Sequence, residues 1–326
     1  MKQGEDGSKD EEKGDVIRQL SGGFFLVVLV LCFLSSVIVT IESTRFTLMY
    51  LIGELQVIGI ASWILKGSTL AFLGLLVWDS VFGSRSSVKI DIFDSRKEGP
   101  SHSELYFVGF SLSLLSAFII LIILLLRGFS ASLQEVSSPV PEEDVFTGVY
   151  LIAVTAPLFE EFLFRFLLLL FPLGLYTYWK ERRGLGEIYR GKQEISRKHW
   201  LVLLGNAVLF GFAHYGWKSL FGGSRQVAVL LTRWKIAQTT VLGIILAFAA
   251  MRWGITTSFT IHWTINALSA MPTIVLNLFP SLIGLLLVLL LGVFFLILIG
   301  LGVVISVNLV IRRKKVNKPI KIPDIR

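Results

Sequence analysis

The chain is poor in charge, in proline and above all in cysteine. Of its 326 residues only 17% are charged and nine are proline, whereas 54% are hydrophobic. That balance excludes a disordered chain and argues against a soluble globular protein. The single cysteine, Cys32, excludes an internal disulfide and a metal site built from several thiolates. The His-Glu-x-x-His pattern of many zinc proteases is also missing from the sequence.

Long apolar segments take the place of these features. Crossing a bilayer as a helix requires about 20 apolar residues. The second segment is too long for one straight helix, and a break at Lys66 and Gly67 would divide it, so we expect eight or nine spans and favour eight. We therefore predict an all-α, polytopic transmembrane helix bundle of about eight helices around a polar intramembrane cavity, with spans near 24–41, 46–82, 105–126, 146–171, 200–216, 236–251, 255–271 and 282–311.

The net charge of +8 comes from loops beside the predicted spans, so we expect the lipid bilayer, and no nucleic acid, as a partner. Residues 180–199 hold seven Lys or Arg against three acids, and residues 312–326 hold seven against one. Short basic loops of this kind stay in the cytoplasm. We predict a multi-pass membrane protein, a monomer, with loop 180–199 and the C-terminus cytoplasmic. Four bases contradict the rule because they would lie outside: Lys218, Arg225, Arg233 and Lys235.

Three charged side chains form a Glu-Glu-x-x-x-Arg group inside the fourth apolar segment. A charge there costs roughly 2.5–3.5 kcal/mol, so such a group persists only if it pairs or has a function. On a helix Glu161 and Arg165 are i and i+4 neighbours, in the order that favours an ion pair. Glu160 lies about 140° away around the helix and faces another partner. Glu160 is therefore the candidate general base, and an ion-paired kink near Pro157 is the structural alternative.

Two later apolar segments carry histidines at helical spacing. Phe210 and His214 share a helical face, so the phenyl ring can hold the imidazole in place. His262 and Asn266 lie one turn apart and can direct two N–H donors at one point, as an oxyanion hole requires. Taken alone, the second pair fits a hydrogen bond between helices equally well.

The ordered set of motifs resembles the CAAX protease and bacteriocin-processing family, also called the ABI family. Glu-Glu-x-x-x-Arg, Phe-x-x-x-His and His-x-x-x-Asn follow one another in the family's order. The run from Leu242 to Ile255, with Arg252 and Gly254, is similar to the third motif of the family. The resemblance covers about residues 146–270, and each motif is weak by itself.

The resemblance implies an intramembrane endopeptidase of the type II CAAX prenyl protease kind. Such an enzyme is a hydrolase that depends on glutamate, so no cofactor is expected. Glu160 and His214 would hold and activate a water molecule. His262 and Asn266 would receive the developing oxyanion.

The supporting residues and the substrate follow from the same resemblance. Glu161 and Arg165 would order the base. The substrate would be a peptide or protein, with CAAX-type removal of the C-terminal tripeptide after a prenylated cysteine. The apolar spans and the resemblance together predict the domain organisation: a polar N-terminal tail at 1–22, N-terminal transmembrane helices at 23–145, the catalytic core at 146–271, a C-terminal transmembrane helix at 272–311 and a basic C-terminal tail at 312–326.

Two other functions fit the same residues. Carboxylate and imidazole are ordinary zinc ligands, so Glu160, His214 and His262 could instead hold zinc in a metal-dependent membrane protease. A non-catalytic scaffold or immunity protein would keep the polar cluster for helix packing or partner binding.

Overall fold

The computed structural model describes residues 4–51, 56–82, 102–126, 145–181, 197–215, 225–279 and 281–316, and every regular element in these ranges is helical. The helix at 145–181, here α4, is continuous but changes its winding along its length. The other helices, numbered in chain order, are α1 (Gly4–Leu51), α2 (Gln56–Phe82), α3 (His102–Leu126), α5 (Arg197–Ala213), α6 (Arg225–Trp253), α7 (Ile255–Leu278) and α8 (Leu282–Val316).

Three stretches within these helices are long and apolar enough to cross a bilayer: Gln19–Thr44, Thr232–Trp253 and Leu282–Ile311. Only 11% of the most apolar part of the last stretch is buried inside the protein, as expected for a helix that faces lipid. The all-α class is confirmed for the described ranges, and the chain is an integral membrane protein. The number of spans and the polar cavity stay predictions.

The structure does not divide the second apolar segment at Lys66 and Gly67, a break that the sequence left open. Helix α2 runs through both residues, and the boundary lies between Leu51 and Gln56. Lys66 is 7% exposed, its Nζ donates to Ser43 Oγ at 2.7 Å, and it lies 5.3 Å from the centre of the Tyr150 ring. Because residues of neighbouring helices contact the buried ammonium group, its burial does not require the helix to end there.

Helix α4 combines α-helical and wider π-helical turns. The π-helical stretches are Leu151–Thr155 and Glu161–Leu170, on either side of Ala156–Glu160. Pro157 has no N–H to donate, and π turns in α-helices are frequent at functional sites. The change of winding falls between the two adjacent glutamates, because Glu160 ends an α-helical stretch and Glu161 begins a π-helical one.

Helix α7 lies in the interior of the bundle, where it packs against α1, α4, α6 and α8. Trp263 is fully buried and its Nε1 donates to Ser36 Oγ of α1 at 3.2 Å. Cys32, also on α1, is fully buried and donates through Sγ to the Thr264 carbonyl at 3.5 Å. These contacts fix the helix that carries His262 at the centre of the fold.

Helices α5 and α6 pack closely through small residues. A Cβ at Gly243 would lie 3.1 Å from Cα of Ala207, and one at Gly211 would collide with the Thr240 hydroxyl and approach the Ile236 carbonyl to 2.9 Å. Small residues of this kind let helix backbones approach in membranes. Since the residue numbers rise on one helix as they fall on the other, the pair is antiparallel.

Helices α6 and α7 are joined through one residue, Gly254. Its φ of 98° lies in a region that L-residues with a side chain rarely adopt. The Gly254 N–H still donates to the Ala250 carbonyl at 2.9 Å. Across this corner Ser258 Oγ donates to the Leu246 carbonyl at 2.9 Å, so the start of α7 is fixed against α6.

Candidate active site

Two imidazole rings face the carboxylate of Glu160. Its Oε1 lies 3.8 Å from His214 Nε2, and its Oε2 lies 3.6 Å from His262 Nε2. The three residues come from α4, from the turn that follows α5, and from α7. The structure thus brings together three of the four residues predicted to carry the chemistry.

The protons on the two rings follow from their other contacts. His214 Nδ1 lies 2.9 Å from the Phe210 carbonyl, and His262 Nδ1 lies 2.9 Å from Glu161 Oε1. A carbonyl and a carboxylate can only accept, so both Nδ1 atoms carry hydrogen. In the neutral ring Nε2 is then an acceptor. Both acceptors lie on the side of Glu160.

Glu161 holds three partners with its two oxygens. Besides His262, it accepts a short hydrogen bond from Ser258 Oγ through Oε2 and lies 3.6 Å from Arg165 Nε. Its side chain is only 2% exposed. A carboxylate surrounded by donors and a cation is stabilised as the anion despite its burial. The predicted ion pair between Glu161 and Arg165 is therefore present, on a π-helical stretch rather than an α-helical one.

Phe210 packs between the charged and the imidazole groups. Its ring centre lies 4.2 Å from the Arg165 guanidinium carbon, 4.9 Å from the His214 ring and 5.8 Å from the His262 ring. Phe164 packs edge-on against it at 5.2 Å. The predicted support of His214 by Phe210 is matched by this contact, and Phe210 also covers the fully buried arginine.

Asn266 lies one turn beyond His262 but is engaged elsewhere. Its Nδ2 donates to the Ile152 carbonyl of α4 at 3.2 Å. An amide has two N–H donors, so this bond uses half of the donor capacity. Asn266 therefore ties α7 to α4 in the structure.

The two adjacent glutamates differ in access. The side chain of Glu160 is 27% exposed, whereas that of Glu161 is 2% exposed. Only an accessible carboxylate can meet a water molecule and a substrate. Of the two glutamates, Glu160 is therefore the one that a ligand could reach.

The chain was compared with known protein families, curated proteins and solved structures. Residues 141–268 match a protein-family model described as Type II CAAX prenyl endopeptidase Rce1-like. This segment, which is less than half of the chain, is similar to that family. The match covers α4 to α7, which include all the site residues described above. No curated protein and no solved structure matched the chain significantly. The matched family is one of CAAX-processing proteases, and all the site residues described above lie in the part of the chain that is similar to it.

One residue of the candidate site was missed from the sequence. Ser258 precedes His262 by four residues, as His262 precedes Asn266, so the three lie on one face of α7. That spacing was a usable signal, but a serine on an apolar helix most often bonds to its own backbone. Thr260 and Thr264 of the same helix do so, each donating to the carbonyl four residues earlier.

Proposed function

We propose that the protein is an intramembrane endopeptidase that hydrolyses a peptide bond with a water molecule activated by Glu160 and His214. The observation that carries the proposal is the accessible Glu160 carboxylate opposite His214 Nε2 at 3.8 Å. Polar atoms at such a separation are suited to a bridging water. Carboxylate and neutral imidazole both accept, so the water would donate both hydrogens and turn its lone pairs away from them. Those lone pairs are what attacks a carbonyl carbon.

Charge that develops on the substrate carbonyl oxygen requires donors. His262 has Nδ1–H committed to Glu161, so its Nε2 donates only when the ring carries both protons. Asn266 retains a second N–H beside the one given to Ile152. We assign these two donors to the oxyanion, and Glu160 would return its proton to the leaving amine.

The proposed substrate is a CAAX-type chain end, cut after a prenylated cysteine with release of the C-terminal tripeptide. The support is the family match over residues 141–268. A site within a lipid-embedded helix bundle suits a substrate that carries an apolar chain of its own.

The test uses purified, detergent-solubilised protein with a farnesylated and an unmodified CAAX-type peptide, with the cut mapped by mass spectrometry. Glu160→Gln and His214→Ala should each lower kcat by about 10²–10⁴-fold, the usual contribution of a general base. Phe159→Leu, at the exposed residue before the site, serves as a matched control that keeps activity. Full activity in Glu160→Gln would disprove the mechanism. Substitutions that lower the melting temperature without changing any measured activity would favour the scaffold alternative.

The zinc alternative rests on one observation: both imidazoles are fixed through Nδ1 and turn Nε2 to the same carboxylate. Zinc-binding histidines are held in this way. In the described residues, however, no group of three or more potential ligands has metal-site geometry. The separations of 3.6 and 3.8 Å exceed the roughly 3.3 Å between two atoms bound to one tetrahedral zinc ion. Zinc stoichiometry and activity after exhaustive chelation decide between the two proposals.

We also propose that all eight helices span the membrane, with loop 180–199 and the C-terminus in the cytoplasm, from the loop charges. Single cysteines placed in 180–199 and in 216–224, on a Cys32→Ala background, test the orientation. Labelling of the first loop from the cytoplasmic side is expected. Labelling of the second loop from that side instead would reverse it.

A further inference from the structure

Helix packing places Lys235 beside the site. Gly211 of α5 lies against Ile236 and Thr240 of α6, and Ala207 lies against Gly243. On these antiparallel helices, three residues forward from Gly211 correspond to about three residues back on α6. His214 is therefore level with the turn of α6 that contains Lys235.

The charge of Lys235 is opposite to that of the Glu160 carboxylate. Opposite charges attract strongly where water is scarce, so an ammonium group at this level of the helix pair suits an anion near the site. The backbone beneath it is fixed, because the Lys235 carbonyl accepts from Thr239 Oγ1 at 2.7 Å. The residue is partly buried, so neighbouring residues confine its side chain.

Arg165, a second cation near the site, is unsuited to a substrate anion. It is fully buried, pairs with Glu161 and is covered by Phe210. Lys235 lies on α6, whereas Glu160 and Arg165 both lie on α4. A lysine contributes a point charge on a flexible stem, which suits an anion at the end of an extended chain.

We infer that Lys235 binds the C-terminal carboxylate of the peptide substrate and so sets how far from the chain end the cut falls. This inference rests on the proposed function. Three extended residues span about 10 Å. The four methylene groups of the Lys235 side chain, together with the spacing between two packed helices, can cover that distance from the scissile bond. The substrate class is then a peptide with a free C-terminus, and a bond within an internal segment is not cut.

The experiment compares two probes on intact protein: a farnesylated CAAX peptide with a free carboxylate, and the same peptide with a C-terminal amide. Wild type should cleave the amide with a KM at least about 10-fold higher and little change in kcat, because the carboxylate contributes to binding. Lys235→Met should raise the KM for the peptide with a free carboxylate to the value for the amide peptide, so that the variant no longer distinguishes the two. Lys235→Arg should recover the preference, and Arg233→Met, at an exposed base on the same helix, should leave it intact.

Other results overturn the inference. Equal KM values for acid and amide in wild type would show that the carboxylate is not recognised. A fall in kcat for both probes in Lys235→Met, with the preference for the acid kept, would make Lys235 a residue that only tunes Glu160 and His214. Melting temperature in detergent checks the folding of each variant, and Lys235→Arg carries the comparison if Lys235→Met does not fold. Absence of any cleavage by wild type would disprove the proposed function itself, and the inference with it.

Discussion

His262 Nδ1 lies 2.9 Å from Oε1 of Glu161, a residue that no substrate can reach because its side chain is 2% exposed. The contact fixes both the orientation of the ring and the position of one proton. The buried acid thus acts on the reaction through His262 rather than directly.

We expect Glu161→Gln to lower kcat strongly while leaving KM nearly unchanged. The amide still fits, but it offers the His262 ring a donor as readily as an acceptor, so the position of the Nδ1 proton is no longer fixed. An acid-to-amide change beside a catalytic histidine can cost about 10⁴-fold in kcat. Steady-state kinetics with the farnesylated peptide measure the effect. A change confined to KM would show that Glu161 has no part in the chemical step.

Ser258→Ala should have a smaller effect of the same kind. It removes one donor from Glu161 Oε2 and the tie to the Leu246 carbonyl. A hydrogen bond to a charged group contributes about 1.5–3 kcal/mol, so kcat should fall by about 10-fold or more. Thr260→Ala is the matched control, since its hydroxyl bonds only within α7. Equal activity in the two variants would contradict the role given to Ser258.

The ion pair of Glu161 and Arg165 should show strong coupling in stability. Arg165→Met leaves a buried carboxylate without its cation, which costs about 3–5 kcal/mol. The double variant Arg165→Met with Glu161→Gln should be less destabilised than the sum of the two single variants, because no uncompensated charge remains. Thermal unfolding in detergent measures each corner of the cycle. Additive shifts would mean that the pair makes no net contribution.

Gly211→Ala should lower activity by separating α5 from α6. The added methyl group meets the Thr240 hydroxyl and the Ile236 carbonyl, so His214, three residues later, must move. Gly205→Ala on the same helix is the control, because its added methyl group meets nothing within 4 Å. We expect a normal melting temperature and normal kinetics in Gly205→Ala, and impaired kinetics in Gly211→Ala. Unchanged kinetics in both would refute the close register on which the position of Lys235 depends.

Much of the site followed from spacing along single helices. The pair of Glu161 with Arg165 and that of Phe210 with His214 are four residues apart, and such neighbours meet on any helix of nearly regular winding. The order of the motifs then indicated that Glu160, His214 and His262 act together. What the sequence could not give was the contact of Glu161 with His262, since it joins residues 101 apart.

Other features escaped the sequence for different physical reasons. Lys66 suggested a helix break because its partners, Ser43 and Tyr150, come from other helices. Lys235 was noted only as a base on the unfavoured side of the membrane. Its position beside His214 depends on glycines whose role emerges only when two helices touch.

The one-residue corner at Gly254 leaves no slack between the helix that carries Lys235 and the helix that carries His262. A tilt of α6 would therefore be transmitted to the start of α7 and, through Ser258, to the hydrogen bond that holds Glu161. An added residue at that corner would uncouple the two helices.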